Sequence, residues 1–193
     1  MPHAIERAST GRAKCRACGQ LVGKGELRLG ERLPNPFAEV EGAETTHWFH
    51  LLCAAYKRPQ PLLEALAATP EVIEDRRHLE AEAELGIAHH RAVRVDAASR
   101  APSGRAACRA CKQPIEKGSW RIGLVFYEDG RFAPSGYIHL TCAAGYLETA
   151  EVIARIRHFS PALSAGELAE VDAAVRGDKE TGSRPNAERD PVS

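Results

Sequence analysis

Six cysteines and two of the eight histidines fall into a spacing that suits a metal rather than a disulfide. Cys15 and Cys18 form one Cys-x-x-Cys pair, and Cys108 and Cys111 form another. Cys53 and Cys142 each stand three residues after a histidine, in His50-Leu-Leu-Cys53 and His139-Leu-Thr-Cys142. Three thiolates and one imidazole are a ligand set that zinc accepts in a closed tetrahedral site. Two sets result: Cys15, Cys18, His50, Cys53 and Cys108, Cys111, His139, Cys142. With four protein ligands no position is left for water, so two structural zinc ions per chain are expected. Each would contribute folding energy on the order of 10 to 16 kcal/mol. The competing reading is a set of buried or redox-active cysteines, with a free dithiol at Cys15-Cys18, and it fails if two zinc ions are bound. His47 also precedes Cys53, but Gly136 occupies its place in the second set, which assigns His50 as the ligand. Trp48 and Phe49, matched by Tyr137 and Ile138, are expected to pack around the site. His3, His78, His89, His90 and His158 have no matching cysteine and are expected to be solvated.

The elements that must position these ligands occur twice. Thr10-Gly-Arg-Ala-Lys-Cys-Arg-Ala-Cys18 recurs as Ser103-Gly-Arg-Ala-Ala-Cys-Arg-Ala-Cys111, and Gly25-Glu-Leu-Arg-Leu-Gly30 recurs as Gly118-Ser-Trp-Arg-Ile-Gly123, at an offset of 93 residues. At the His-x-x-Cys pairs the offset is 89, so the intervening loop is four residues shorter in the second copy. This is a domain duplication. It implies a first finger with helical extension over 5–92, a linker over 93–103, a second finger over 104–177 and a disordered polar tail over 178–193. Leu27, Leu29 and Leu33, and Trp120, Ile122, Leu124 and Phe126, alternate with arginines and glycines at the period of a half-buried strand, with each arginine directed away from the core. Asp129-Gly130 signals a type I′ hairpin. Thr69-Pro70 is expected to open a helix carrying Val72, Leu79, Ala83 and Ile87. Ser164 with Glu167 forms a capping box before Leu168, Val171 and Val175, and Gly177 stops that helix. The expected fold is small α+β, two tandem zinc-stabilised fingers, each a short antiparallel sheet with C-terminal helices.

Composition constrains function. At 193 residues, one or two small domains fit and a large catalytic core does not. No apolar run approaches a membrane span, and no P-loop, nucleotide cradle or acid-base constellation remains once both fingers are assigned. A soluble, intracellular protein without membrane contact and without an activity of its own is expected. Its Ala and Arg richness suits a bacterial cytoplasm and nucleoid, with the nucleus as the alternative in a eukaryote. Lys plus Arg equal Asp plus Glu at 26 each, which removes a whole-chain basic signature. The charge is nevertheless partitioned. Residues 1–34 carry seven basic and three acidic groups and residues 100–123 six and one, whereas 61–85 carry two and seven and 145–180 four and seven.

The pattern Gly-Arg-Ala-x-Cys-x-x-Cys, a Lys-Gly turn (Lys24-Gly25, Lys117-Gly118), x-x-Arg, a long loop and His-x-x-Cys resembles the zinc finger of poly(ADP-ribose) polymerases, and His47-Trp-Phe-His50 strengthens the likeness. The resemblance covers both copies. It implies a compact sheet tied to its loop by zinc, and recognition of nicks and ends by structure rather than sequence. It also implies that Arg12, Arg105, Arg28 and Arg121 grip phosphates near a break, supported by Lys14, Arg16 and Arg109. An apolar surface for the terminal base pair would come from the loop before the histidine, with Phe37 and either Phe132 or Tyr127 as candidates, although core packing is an equal alternative for each. The functional expectation is a monomer on nicked or ended duplex that presents the break to a separate repair enzyme. The alternatives are a protein-interaction module using the acidic helices, and an RNA-binding zinc protein.

Overall fold

A computed structural model describes residues 3–35, 38 and 42–177. The anticipated tail, 178–193, lies outside them. The chain forms two three-stranded antiparallel sheets, each followed by helices. In the first unit β1 (Ala4–Arg7), β2 (Leu27–Pro34) and β3 (Glu44–His50) pair in that order, and α1 (Leu51–Lys57), α2 (Pro59–Ala68) and α3 (Arg76–Ala88) follow. In the second unit β4 (Val95–Arg100), β5 (Trp120–Glu128) and β6 (Arg131–His139) repeat the sheet, and α4 (Ala143–Leu147), α5 (Ile153–Phe159) and α6 (Ala165–Arg176) follow a 3-10 turn at Leu140–Cys142. No helix among the described residues is long and apolar enough to cross a membrane.

Residues 93–103 are therefore not a linker, because they hold β4. The duplication runs further upstream than the cysteine motifs. Ile5 pairs with Leu29 as Ala98 pairs with Ile122, and Arg7 and Arg100 each donate from Nη1 to a turn carbonyl, Gly25 and Gly118. Both of those glycines have φ of +83°, a left-handed value that favours glycine in the Lys-Gly turn.

The burial pattern follows the duplication. Val22, Leu29 and Phe49 are fully buried in the first core, and their equivalents Ile115, Ile122 and Ile138 are fully buried in the second. The expected alternation of burial fails beyond Leu124. Leu124 faces Gly136 but Val125 faces Pro134, so Ser135 is an extra residue in β6. β5 gains no residue, so its side chains keep alternating: Val125 is buried on the face that carries Tyr127 toward the first unit, and Phe126 on the other face is 45% exposed. The hairpin itself turns as expected, with positive φ at both Asp129 and Gly130. Thr69-Pro70 ends a helix instead of opening one. Proline forces the preceding residue extended, Thr69 has ψ of 136°, and its N–H closes α2 on Ala65. Val72 is consequently exposed outside any helix, and Leu79 and Ala83 are buried on α3. The Ser164–Glu167 capping box and the left-handed Gly177 cap bound α6.

The two units are clasped. The hairpin of the second places Tyr127 and Phe132 against the first core, with Phe132 edge-on to Phe49 at 6.4 Å. Arg155 on α5 is almost fully buried and donates to the Tyr56 carbonyl at 2.8 Å and to the Glu82 carbonyl, with the Glu82 carboxylate at 3.4 Å. Lys57 on α1, also buried, donates to the Val95 carbonyl and lies over the Phe159 ring at 4.4 Å. Buried Glu31 takes Arg58 in a bidentate pair, and Arg58 covers Tyr127 at 4.1 Å while the Tyr127 hydroxyl meets His47 Nδ1 at 3.0 Å.

Truncating Arg155 to alanine would remove the donor to the Tyr56 carbonyl and leave the Glu82 carboxylate without its ion-pair partner at the seam. A loss of about 3 to 5 kcal/mol in denaturant unfolding is expected. Burial depresses Lys57 to about 7, partly offset by Asp96, against an ordinary value of 10.5. Between those values the unfolded chain binds the proton and the folded chain does not, so stability should rise with pH from about 7 toward 10. Unfolding curves across that range should show the rise in the native protein and lose it in Lys57→Met.

Candidate metal centres and nucleic-acid surface

Each metal centre joins a tight knuckle to the junction of a strand and a helix. In the first, Cys15 N–H donates to Gln20 O and Gly19 N–H to Cys15 O, folding Cys15 and Cys18 into one turn. Cys108, Gln113 and Lys112 repeat the turn. The residue after the second cysteine is left-handed in both, Gly19 at φ of 73° and Lys112 at 65°. The remaining ligands sit where β3 ends in α1 and where β6 ends in its 3-10 turn.

The ligand atoms Cys15, Cys18, His50 and Cys53 all lie within 4.8 Å of one another, and so do Cys108, Cys111, His139 and Cys142. Nδ1 of His50 is 3.4 Å from Cys18 Sγ and 3.8 Å from Cys53 Sγ, and Nδ1 of His139 is 3.4 Å from Cys111 Sγ and 3.9 Å from Cys142 Sγ. A tetrahedron with bonds of about 2.3 Å to sulfur and about 2.0 Å to nitrogen has S···N edges near 3.6 Å, so both sets fit zinc. The opposite ring nitrogens fix the tautomer. His50 Nε2 donates to the Leu21 carbonyl at 3.2 Å and His139 Nε2 to the Pro114 carbonyl at 3.1 Å, which leaves Nδ1 free to bind metal. His47 faces away from the centre, and the assignment of His50 stands.

Thiol acidity reports the crowding. The Cys53 thiol donating to Cys15, with backbone N–H groups of Cys18, His50 and Ala17, holds Cys15 down at about 4, and the same hydrogen bond drives Cys53 far up. In the second centre burial raises Cys108, but backbone N–H donors of Cys111, His139 and Ala110 outweigh it and bring the thiol to about 6, while burial and its co-ligands push Cys142 to about 11. Three thiols so close cannot all ionise unless a cation shares them.

Arg12, Lys14 and Arg16 are exposed on the first knuckle, and Arg105 and Arg109 on the second. Arg12 and Arg105 make no ion pair among the described residues. Arg109 Nε donates to the Ser135 carbonyl at 2.7 Å, which braces the second knuckle against the bulge. Arg28 departs from expectation. It is buried, stacked on Trp48 at 3.5 Å and paired with Glu6 at 2.7 Å. Arg121 keeps the equivalent stack, on Tyr137 at 3.6 Å, but Ser99 stands where the first unit has Glu6, so its partner is a hydroxyl at 3.4 Å. Phe37 lies outside the described residues. Phe132 is turned into the clasp, as is Tyr127. His158 is not solvated, since its Nε2 meets Cys53 Sγ at 3.0 Å. Leu21, which no motif marks, is 57% exposed beside the first centre.

Two Cys3His centres, each joining a knuckle to a three-stranded sheet, define a tandem zinc-finger protein. Residues 6–90 match the family described as the poly(ADP-ribose) polymerase and DNA-ligase Zn-finger region. The chain is similar to poly [ADP-ribose] polymerase 1 of Gallus gallus, 29% identical over 136 residues, which are 63% of this chain and 13% of that protein. It is similar to poly [ADP-ribose] polymerase 1 of Xenopus laevis, 31% identical over 129 residues, 60% of this chain and 12% of that protein. Poly [ADP-ribose] polymerase of Drosophila melanogaster is 27% identical over 151 residues, 66% of this chain and 14% of that protein. The matched region thus spans only a small fraction of these relatives.

Elemental analysis should find two zinc ions per chain at neutral pH. Thiolate and neutral imidazole are the binding forms, so acidification should release the metal, and chelation should unfold both sheets as read by circular dichroism. Cys53→Ala and Cys142→Ala should each lower the zinc content toward one equivalent.

Proposed function

We propose that the chain binds DNA through its two knuckle faces, recognises strand breaks by their structure, and hands them to a separate repair enzyme without catalysing a reaction itself. The observation that carries this reading is repetition: Arg12 and Arg105, exposed and free of acidic partners among the described residues, occupy equivalent positions beside two equivalent metal centres. Fingers of the matched type occur in poly(ADP-ribose) polymerases and DNA ligases by the family's own description, and joining DNA requires finding its ends.

The clasp gives a physical reason to prefer a break. Two phosphate grips held in one body have a fixed mutual orientation, and an intact duplex must bend to satisfy both unless that orientation is collinear. Bending 20 to 30 base pairs by 40 to 90° costs on the order of 1 to 6 kcal/mol, whereas a nick is already a hinge. A net charge of zero acts in the same direction, because it provides little attraction for undamaged duplex at long range. The interaction-module reading draws on the acidic helices, yet several of their carboxylates pair within the chain, as Glu82 with Arg155 and Glu170 with Arg100.

Binding to matched nicked, blunt and continuous duplexes at two salt concentrations tests the reading. Tighter binding to the nicked form is expected, and equal affinity for nicked and continuous DNA would sink it. Replacing Arg12 and Arg105 together by alanine should weaken binding and flatten the salt slope by about one unit for each phosphate no longer neutralised. Arg121→Ala should cost more affinity than Arg28→Ala, because Glu6 already neutralises Arg28.

A further inference from the structure

The first metal centre receives a contact from the other unit that the second centre lacks. His158, on α5, brings Nε2 to 3.0 Å from Cys53 Sγ, across 105 positions of sequence. Its ring is held by Tyr56 at 5.2 Å and 64° and by Phe159 at 4.8 Å and 89°. His158 is not among the four residues whose ligand atoms converge, and among the described residues its hydrogen-bond contact with the centre is to Cys53 Sγ. An imidazole N–H directed at a metal-bound thiolate orients the sulfur and lowers its basicity, which slows its protonation, exchange and oxidation. Among the described residues, Cys142, the counterpart of Cys53, has polar partners only within its own ligand set. The surroundings differ in the same sense. Cys15 and Cys53 are buried, whereas in the second centre only Cys108 is buried and Cys111 is exposed.

We propose that His158 is a positioning residue of the first metal centre, donating its Nε2–H to the Cys53 thiolate. The docking of the second unit and the retention of zinc in the first thereby support one another, while the second centre holds its metal unaided. Coupling of this kind is reciprocal: whatever His158 adds to zinc affinity in the first centre, zinc there adds to the docking of α5. The inference concerns metal retention and does not rest on DNA binding.

Zinc transfer from the full-length protein to a chromogenic chelator tests this, with cadmium-113 resonances of the substituted protein as a second readout. Two release phases of unequal rate are expected, and Cys111→Ser should remove the fast one, assigning it to the second centre. His158→Phe keeps an aromatic ring between Tyr56 and Phe159 but has no donor. It should accelerate the slow phase by about 10- to 100-fold, the usual effect of losing a hydrogen-bond partner of a metal ligand, and should shift only one cadmium resonance. His158→Gln, which retains a donor, should release more slowly than His158→Ala even where the phenyl ring is not accommodated. A slow phase unchanged in His158→Phe would overturn the proposal. So would equal acceleration of both phases, or identical release from the Gln and Ala variants.

Discussion

Each unit depends on holding three thiols and an imidazole within 4.8 Å of one another, an arrangement that repels itself until a cation occupies its centre. The opposed acidities of Cys15 and Cys53 express this repulsion, one thiol held near 4 and the other driven far up. A divalent ion turns the conflict into a cross-link between the knuckle at 15–18 and the strand-to-helix corner at 50–53. That link matters because the sheet it anchors is slight: β1 has four residues, and the first core consists largely of alanine, leucine and the ligands Cys15 and Cys53. A core of that size does not fold on apolar burial alone, and metal binding supplies the difference.

The second constraint is the seam. Arg155, Lys57 and Glu31 are all buried near it, and burying charge is costly unless each group is met by partners of good geometry. Arg155 meets two carbonyls and a carboxylate, Glu31 a guanidinium fork, and Lys57 a carbonyl and an aromatic face. The partners of Arg155 and of Lys57 lie across the seam and exist only when both units are in register. The seam therefore specifies one mutual arrangement instead of merely favouring contact. For the two DNA grips proposed above, this replaces tethering by pre-organisation, since the orientational freedom that a flexible linker would surrender on binding has been removed in the free protein.

What is legible in the sequence is local. The ligand sets, β2 and β5, the hairpin turn and the capping box are defined by residues within a few positions of each other, and spacing alone identifies them. The features that escape such reading depend on partners far along the chain. Ala97 to Ser99 have low strand propensity, and β4 exists because β5 offers it an edge; the one sequence signal is Arg7-Ala8 recurring as Arg100-Ala101 at the same offset of 93. Thr-Pro serves equally as a helix start or stop, and only the packing of α2 against β1 decides. The exposure of Phe126 is invisible in the alternation of β5, because the face that Val125 and Tyr127 share is covered by the first unit, far away in the sequence. Arg28 reads as a surface strand residue until Glu6, 22 positions away, folds beside it, and His158 reads as solvated until α5 crosses to the other unit.

The two copies differ at a few matched positions. Glu6 became Ser99 or the reverse, so the first unit compensates its strand arginine internally while the second leaves Arg121 with only a hydroxyl and a ring. Gly19 corresponds to Lys112, which accepts a left-handed backbone, a cost on the order of 1 to 2 kcal/mol for a side-chain-bearing residue, and adds a positive charge to the second knuckle. The first centre is buried and braced by His158, and the second is partly exposed. The knuckles nevertheless stay balanced in charge: Lys14 and Gly19 of the first correspond to Ala107 and Lys112 of the second, so Arg12, Lys14 and Arg16 are matched by Arg105, Arg109 and Lys112. Divergence has moved a charge within the knuckle and left the strand arginine as the position where the two units differ in pairing, which duplication followed by loss of one partner produces without any change in fold.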